Sequence, residues 1–217
     1  MSPKSKSAKS KNSEKNTIHE LFEHQLQDIL WAEQELTNFM PEIVEQISSK
    51  ELVNTLQEHM KVTEKQISRL DNIFELIGAE KKAEKCDGME GLIKEARSIV
   101  EMADEGVVRD AFIIGAVQKM EHYEMAGYGT LKAIAAIIGE YEVSSLLGET
   151  LEEEKEADMK LTEVAESVVN INASMESGEL EDEEGESGED ETEEETSAIS
   201  RSGSKSKSSS KAKSKSR

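Results

Sequence analysis

The chain has 217 residues, with 26 Lys and Arg set against 47 Asp and Glu, a formal charge of −21. Only 35% of residues are hydrophobic and 4% aromatic, with two Pro, so part of the length falls outside any packed core, and a sandwich or barrel of many short strands is excluded. One cysteine, Cys86, excludes an intrachain disulfide and a multi-thiolate zinc or iron–sulfur site.

Charge is segregated along the chain. Residues 1–16 hold five Lys and one Glu among many Ser, a net of +4. Residues 176–195 hold 13 acids and no base, and residues 201–217 hold seven bases and no acid, leaving −19 for residues 17–175. Both ends are Ser-rich and too polar to offset chain entropy by burial, so 1–16 and 176–217 are expected to be disordered and 17–175 to fold. The Lys/Ser ends are first of all solubilising. Contact with nucleic acid through them is the less favoured reading, because the acidic block would compete for the C-terminal basic run. No apolar run approaches the ~18 residues of a membrane span, and the N-terminus carries no apolar signal segment, so a soluble, cytoplasmic protein is expected.

Within 17–175 the apolar residues recur at helical spacing. Leu26, Ile29, Glu33, Leu36 and Met40 share one face of a first helix. Pro41 should kink that helix without ending it, since the periodicity continues through Ile43, Val44 and Ile47. Leu56, Met60, Thr63, Ile67, Leu70 and Phe74 share a face of a second, which Gly78 ends. A shorter helix, about 88–102, follows. A third long stretch, about 107–138, aligns Ile114, Val117, Glu121, Glu124, Met125 and Tyr128. Gly139 and Gly148 bracket a break, and a fourth long stretch, about 143–171, aligns Leu147, Leu151, Glu154, Asp158, Leu161 and Ala165. Four long helices of ~40–48 Å with short connections predict an all-α, antiparallel four-helix bundle with one additional short helix. The turn Ala133–Ile138 is apolar all round and needs a second covering surface, either the short helix or a second copy of the chain; a homodimer is expected.

Several acids lie on the wrong face. Glu33 sits in the middle of the first apolar stripe, Glu121 and Glu124 straddle the third, and Glu154 and Asp158 lie inside the fourth. Burying an unpaired carboxylate costs several kcal/mol, and the core faces offer little Lys or Arg. A divalent or trivalent metal is the economical counter-charge. This is the arrangement of ferritin-like carboxylate sites, where acids from four helices hold two metals. The competing reading is a set of partly solvated acids at one end of a bundle.

The order of motifs resembles the YciF/YciE family of ferritin-like proteins, small stress-associated bacterial proteins distantly related to rubrerythrin. The likeness rests on Asp28, Trp31, Ala32 and Glu33 in DILWAE, on RLDNIFELIG from Arg69, on Lys85–Cys86–Asp87 with Met89–Glu90–Gly91–Leu92, and on Arg109–Asp110. The most specific block is Gln118–Lys119, Glu121–His122–Tyr123–Glu124 and Tyr128–Gly129–Thr130–Leu131, followed by Thr150–Leu151, Glu153–Glu154–Lys155, Asp158 and Leu161–Thr162. The resemblance covers about 17–173. It implies a ferritin-like bundle, a di-iron or di-manganese site and a role tied to stress, and it supplies no activity. By similarity, Glu33 comes from the first helix, Glu121 and Glu124 from the third, and Glu154 and Asp158 from the fourth. Where relatives place a Glu or Gln directly before Thr63, this chain has Val62, which cannot ligate. His59 and Gln66, one turn to either side, are the candidates to replace it. Leu30 stands where relatives carry a Tyr. His122 falls about 100° away from Glu121 and is not counted as a ligand, and Cys86, in the link between the second and third long helices, is expected to be a packing residue. The alternative function is a metal-free structural or interaction bundle, or a bundle coupled to nucleic acid through its tails.

Overall fold

The structure, a computed structural model, describes residues 17–178. The basic segment 1–16 and residues 179–217, both expected to be disordered, lie outside the described residues. Thr17 opens α1 (Ile18–Val44) with a capping box: its hydroxyl accepts from the Glu20 amide at 3.2 Å, and its own amide donates to the Glu20 carboxylate at 2.6 Å. As expected, α1 continues through Pro41. That residue forgoes only one intrahelical bond close to the helix end, where few remain to be broken. The helix stops at Val44, however, and Ile47 lies in the following connection, half-buried against the core.

Ser49 caps α2 (Lys50–Ile77) by accepting from the Leu52 amide, and Gly78 ends it with a left-handed φ of 66°. Cys86 caps α3 (Asp87–Met102) through its sulfur, which accepts from the Met89 amide at 3.3 Å. Next comes α4 (Val107–Ile138), closed by Gly139 at φ 90°, and two residues later α5 (Tyr141–Val164). Gly148, expected to bracket a break, instead lies inside α5, where a Cβ would stand 3.3 Å from the Lys132 side chain. The fourth expected stretch is interrupted: α5 passes into a π turn, Ala165–Val169, and then α6 (Asn170–Glu176). Among the described residues there is no strand, and no helix is long and apolar enough to cross a membrane.

Helices α1, α2, α5 and α4 pack in a ring, each against its two neighbours. Their contacts run in opposite directions. Arg109 at the start of α4 meets Gln46 just past the end of α1, Tyr128 meets Glu33, and Arg69 of α2 meets Thr150 of α5. Neighbours are therefore antiparallel, whereas α2 and α4, on the diagonal, are parallel. That topology forces the link 78–106 to travel the length of the bundle, and α3 occupies part of the path, packed on α4 and α1. Because α3 lies beside Lys119 and Tyr123 of α4, it does not extend to Ala133–Ile138. There Ile134 and Ile138 are half-buried, Ile137 stands 76% exposed, and Tyr141, which opens α5, is likewise exposed.

The end of the bundle is pinned by Asp110. Fully buried, its carboxylate accepts from the Ser49 amide at 2.7 Å and from the Ser48 amide at 3.1 Å, while Arg109 donates to the Gln46 carbonyl at 2.6 Å. Helix α4 thus supplies the partners that the α1–α2 connection cannot provide for itself. Asp110→Ala leaves those amides without partners and should cost about 2–4 kcal/mol. Urea unfolding is expected to show a lower midpoint with unchanged slope.

Candidate metal centre

Midway along the ring, four helices direct polar side chains into the core. Glu33 comes from α1, His59 and Gln66 from α2, Glu121 and Glu124 from α4, and Glu154 from α5, and every one is buried. On α2 the buried face is turned from the apolar stripe read in the sequence. His59 and Gln66 occupy it, while Met60 and Ile67 are only half-buried. The reason lies on other helices. His59 Nε2 stands 3.3 Å from Glu121 Oε1, and Gln66 Nε2 donates to Glu154. His59, Glu121 and Glu154 each offer a donor atom within 4.8 Å of the other two.

Asp158 is not brought into this group. Ala157 takes the inward position on α5, and Asp158 accepts from Gln118 at 3.1 Å and lies 3.3 Å from exposed His122. One residue is about 100° on a helix, enough to move an acid from core to flank. Cys86 is buried beneath α3, 2.9 Å from the Tyr123 hydroxyl, which also donates to Asp28 at 3.0 Å. Burial pushes its thiol above the ordinary range, against the Tyr123 hydrogen bond, as befits a packing residue rather than a nucleophile.

Two supports had not been assigned from the sequence. Tyr128, fully buried, donates its hydroxyl to Glu33, so the hydroxyl absent at Leu30 is supplied from α4. A tyrosine one turn beyond Glu124 within an apolar stripe carried the signal, since a buried hydroxyl needs a partner. Arg69 forms a bidentate pair with Glu153, at 2.7 and 2.9 Å, and donates to Thr150. Glu153 in turn accepts from Gln66 at 3.3 Å. The pair fixes α2 to α5 beside the centre.

The group holds more acid than base. Burial, opposed by the Tyr128 hydrogen bond and His59 and reinforced by Glu121 and Glu153, pushes Glu33 up to about 7. Burial and then the charges of Glu33, Glu154 and Glu121 push Glu124 well above the ordinary range. Glu154 rises for the same reasons, with Glu33 and Glu121 as the charges. For His59, burial favours the neutral ring, but Glu121 and then Glu33 outweigh it and the imidazole is raised. Five buried atoms here have no hydrogen-bond partner: Gln66 Oε1, both Glu121 oxygens, Glu124 Oε1 and Glu154 Oε2. Oxygen donors with one imidazole suit a hard or borderline divalent cation such as iron(II) or manganese(II), and so the residues fit such an ion.

Residues 17–174 match a protein family described as a domain of unknown function, DUF892. The chain is 42% identical over 162 residues to protein YciF of Escherichia coli (strain K12), covering 74% of this chain and 96% of YciF. The solved structure of the E. coli stress protein YciF superposes with a TM-score of 0.69 at 41% identity, covering 72% of this chain and 99% of that one. YcfI of Rhodopseudomonas palustris does so at 0.66 and 39%, covering 70% and 96%. A protein of Xanthomonas campestris, at 24% identity and 0.60, over 76% of this chain and all of that one, shares the fold. The chain belongs to the DUF892 family, in accord with the YciF-like resemblance of its motifs.

The shifts fix a pH dependence for the metal-free protein. Glu33, Glu124 and Glu154 have folded values above the ordinary 4.5, so the native state keeps protons that the unfolded chain has released. Stability from these groups is therefore present below the folded value and is lost as pH rises through it; raised His59 has the same sign. The metal-free protein should melt higher at about pH 5.5 than at about pH 7.5. Replacing Glu33, Glu124 and Glu154 together by Gln should flatten that difference.

Proposed function

On the premise of this family membership, we propose that the chain is a ferritin-like metal-binding protein of the stress response. It binds iron or manganese at a dinuclear carboxylate centre and acts in the cytoplasm. The observation that carries the reading is the set of five partnerless buried oxygens contributed by Gln66, Glu121, Glu124 and Glu154 at one level of the bundle. Leaving such atoms unmet costs about 1–3 kcal/mol each. A cation would meet them together. The association with stress comes from YciF, which carries that description.

Glu33, His59, Glu121, Glu124 and Glu154 would hold the ions, with Gln66 as a further oxygen donor. A bound redox-active metal would supply one-electron chemistry. The protein's own part is legible in its contacts. Tyr128 fixes the orientation of Glu33. The Arg69–Glu153 pair anchors Gln66, and Gln66 orients Glu154. The apolar layers around them keep water from all but the His59 edge. No substrate is assigned.

A second reading, a structural bundle without metal, is favoured by a specific observation: the raised Glu33, Glu124 and Glu154 can hold protons, and His59 can carry the counter-charge to Glu121. The homodimer expected from Ala133–Ile138 belongs to the same proposal, with exposed Ile137 and Tyr141 as its contact. Nucleic-acid contact would involve tails outside the described residues.

Metal analysis of protein purified without chelator separates the two readings. The first predicts bound iron or manganese, and near-background content in the double variant Glu121→Gln, Glu124→Gln with helicity retained. It also predicts a rise in melting temperature on adding manganese(II), since an ion at about 100 times its Kd stabilises by about 2.7 kcal/mol. Wild-type metal content in the double variant sinks this assignment.

A further inference from the structure

A cavity of about 300 Å³ opens between α2 and α5. Its walls are mixed: Leu56, Val62, Ala157 and Leu161 supply the apolar part, and His59 lines it together with charged side chains. The same His59 presents Nε2 to Glu121 at 3.3 Å, so one side chain touches both the cavity and the carboxylate group. It is also the most exposed member of that group, at 7% against 0–1% for Glu33, Gln66, Glu121, Glu124 and Glu154. The group thus comes nearest to solvent at His59.

We propose that this cleft is the route by which a divalent cation reaches the buried carboxylates, with Val62 setting its width and His59 receiving the ion. The inference rests on the metal-binding reading above. The lining holds Glu58, Glu153 and Glu156 with Lys65 and Lys160; Lys160 is paired with Glu156 at 2.9 Å and Glu153 with Arg69 at 2.7 Å, so its charges are balanced and set no barrier to a cation. Two observations select a cation over a neutral molecule or an anion. The chain as a whole is strongly acidic and concentrates cations at its surface. Beyond the cavity lie acceptors without donors. From the lining, Glu153 accepts from Gln66, the same Gln66 donates to buried Glu154, and the Gln66 carbonyl oxygen is itself partnerless. Carboxylates thus flank the Gln66 amide, one in the lining and one in the core. His59 need only change rotamer to let an ion pass, a motion far faster than seconds.

Val62 is half-buried on this wall, so its size can be changed without opening the core. The test is the rate of manganese(II) uptake by the full-length metal-free protein, followed as loss of the free-ion electron paramagnetic resonance signal, together with the final stoichiometry. Val62→Trp should slow uptake by about tenfold or more, the effect of raising a barrier by about 1.4 kcal/mol, and reach the wild-type stoichiometry. Val62→Ala should speed uptake and reach the same end point, and it decides the matter should the larger residue disturb folding. Wild-type rates in the variants with full final loading overturn the route while leaving the metal centre standing. No uptake by the wild type overturns the metal-binding reading itself, and the route with it.

Discussion

Four carboxylates, those of Glu33, Glu121, Glu124 and Glu154, share one level of an otherwise apolar bundle, and the surrounding structure is arranged around that burden. An ionised acid taken out of water costs several kcal/mol unless it is paired. Every polar side chain facing this level answers part of that cost. Tyr128 donates to Glu33, Gln66 donates to Glu154, and His59 faces Glu121. The topology makes the answers possible. The long link carrying α3 lets α2 and α4 run parallel on the diagonal, and so His59 and Glu121 meet at the same height.

The remaining charge can be met in two ways, by protons or by a cation, and the two exclude each other. Protons suffice at mildly acidic pH, because burial and mutual repulsion raise Glu33, Glu124 and Glu154. At higher pH, where Glu33 with its value near 7 gives up its proton, the core needs a cation or becomes unstable. Cation affinity and fold stability are then linked through the same oxygens. An ion bound there would be lost with least cost to the fold where protons can take its place.

Elements whose determinants lie within one helix were legible in the sequence. Both ends of α4 at Val107 and Ile138 follow from its period and from Gly139, and Gly78 closes α2 as expected. Glu33, Glu121, Glu124 and Glu154 were readable as inward acids because their own stripes surround them. Determinants that lie between helices were harder to read. Hydropathy favours Met60 and Ile67 for the core side of α2, yet His59 and Gln66 take it because their partners stand on α4 and α5. Asp158 looked equivalent to Glu154 along one stripe, but small Ala157 fits the tight interior and turns Asp158 toward Gln118 and His122. The π turn at Ala165–Val169 and the continuation of α5 across Gly148 likewise depend on packing, not on local signals.

The two sides of the bundle are not alike, and the difference bears on what the centre can do. On the α1/α4 side, α3 lies across the groove between the helices, and the Cys86–Tyr123–Asp28 chain of polar contacts ties it there. Gly88 is part of that seal, since a Cβ at this position would stand 2.6 Å from the Tyr123 ring. Behind it, the buried Tyr128 closes the approach to Glu33. Among the described residues no helix covers the α2/α5 side, and the half-buried residue next to Thr63 is the short, apolar Val62. A carboxylate or carboxamide at that position would occupy the cleft and add a donor at its inner end. Valine does neither, so the chain gives up one oxygen donor and keeps an opening at His59. An ion held at such a centre would be sealed from one side and exchange with solvent through the other.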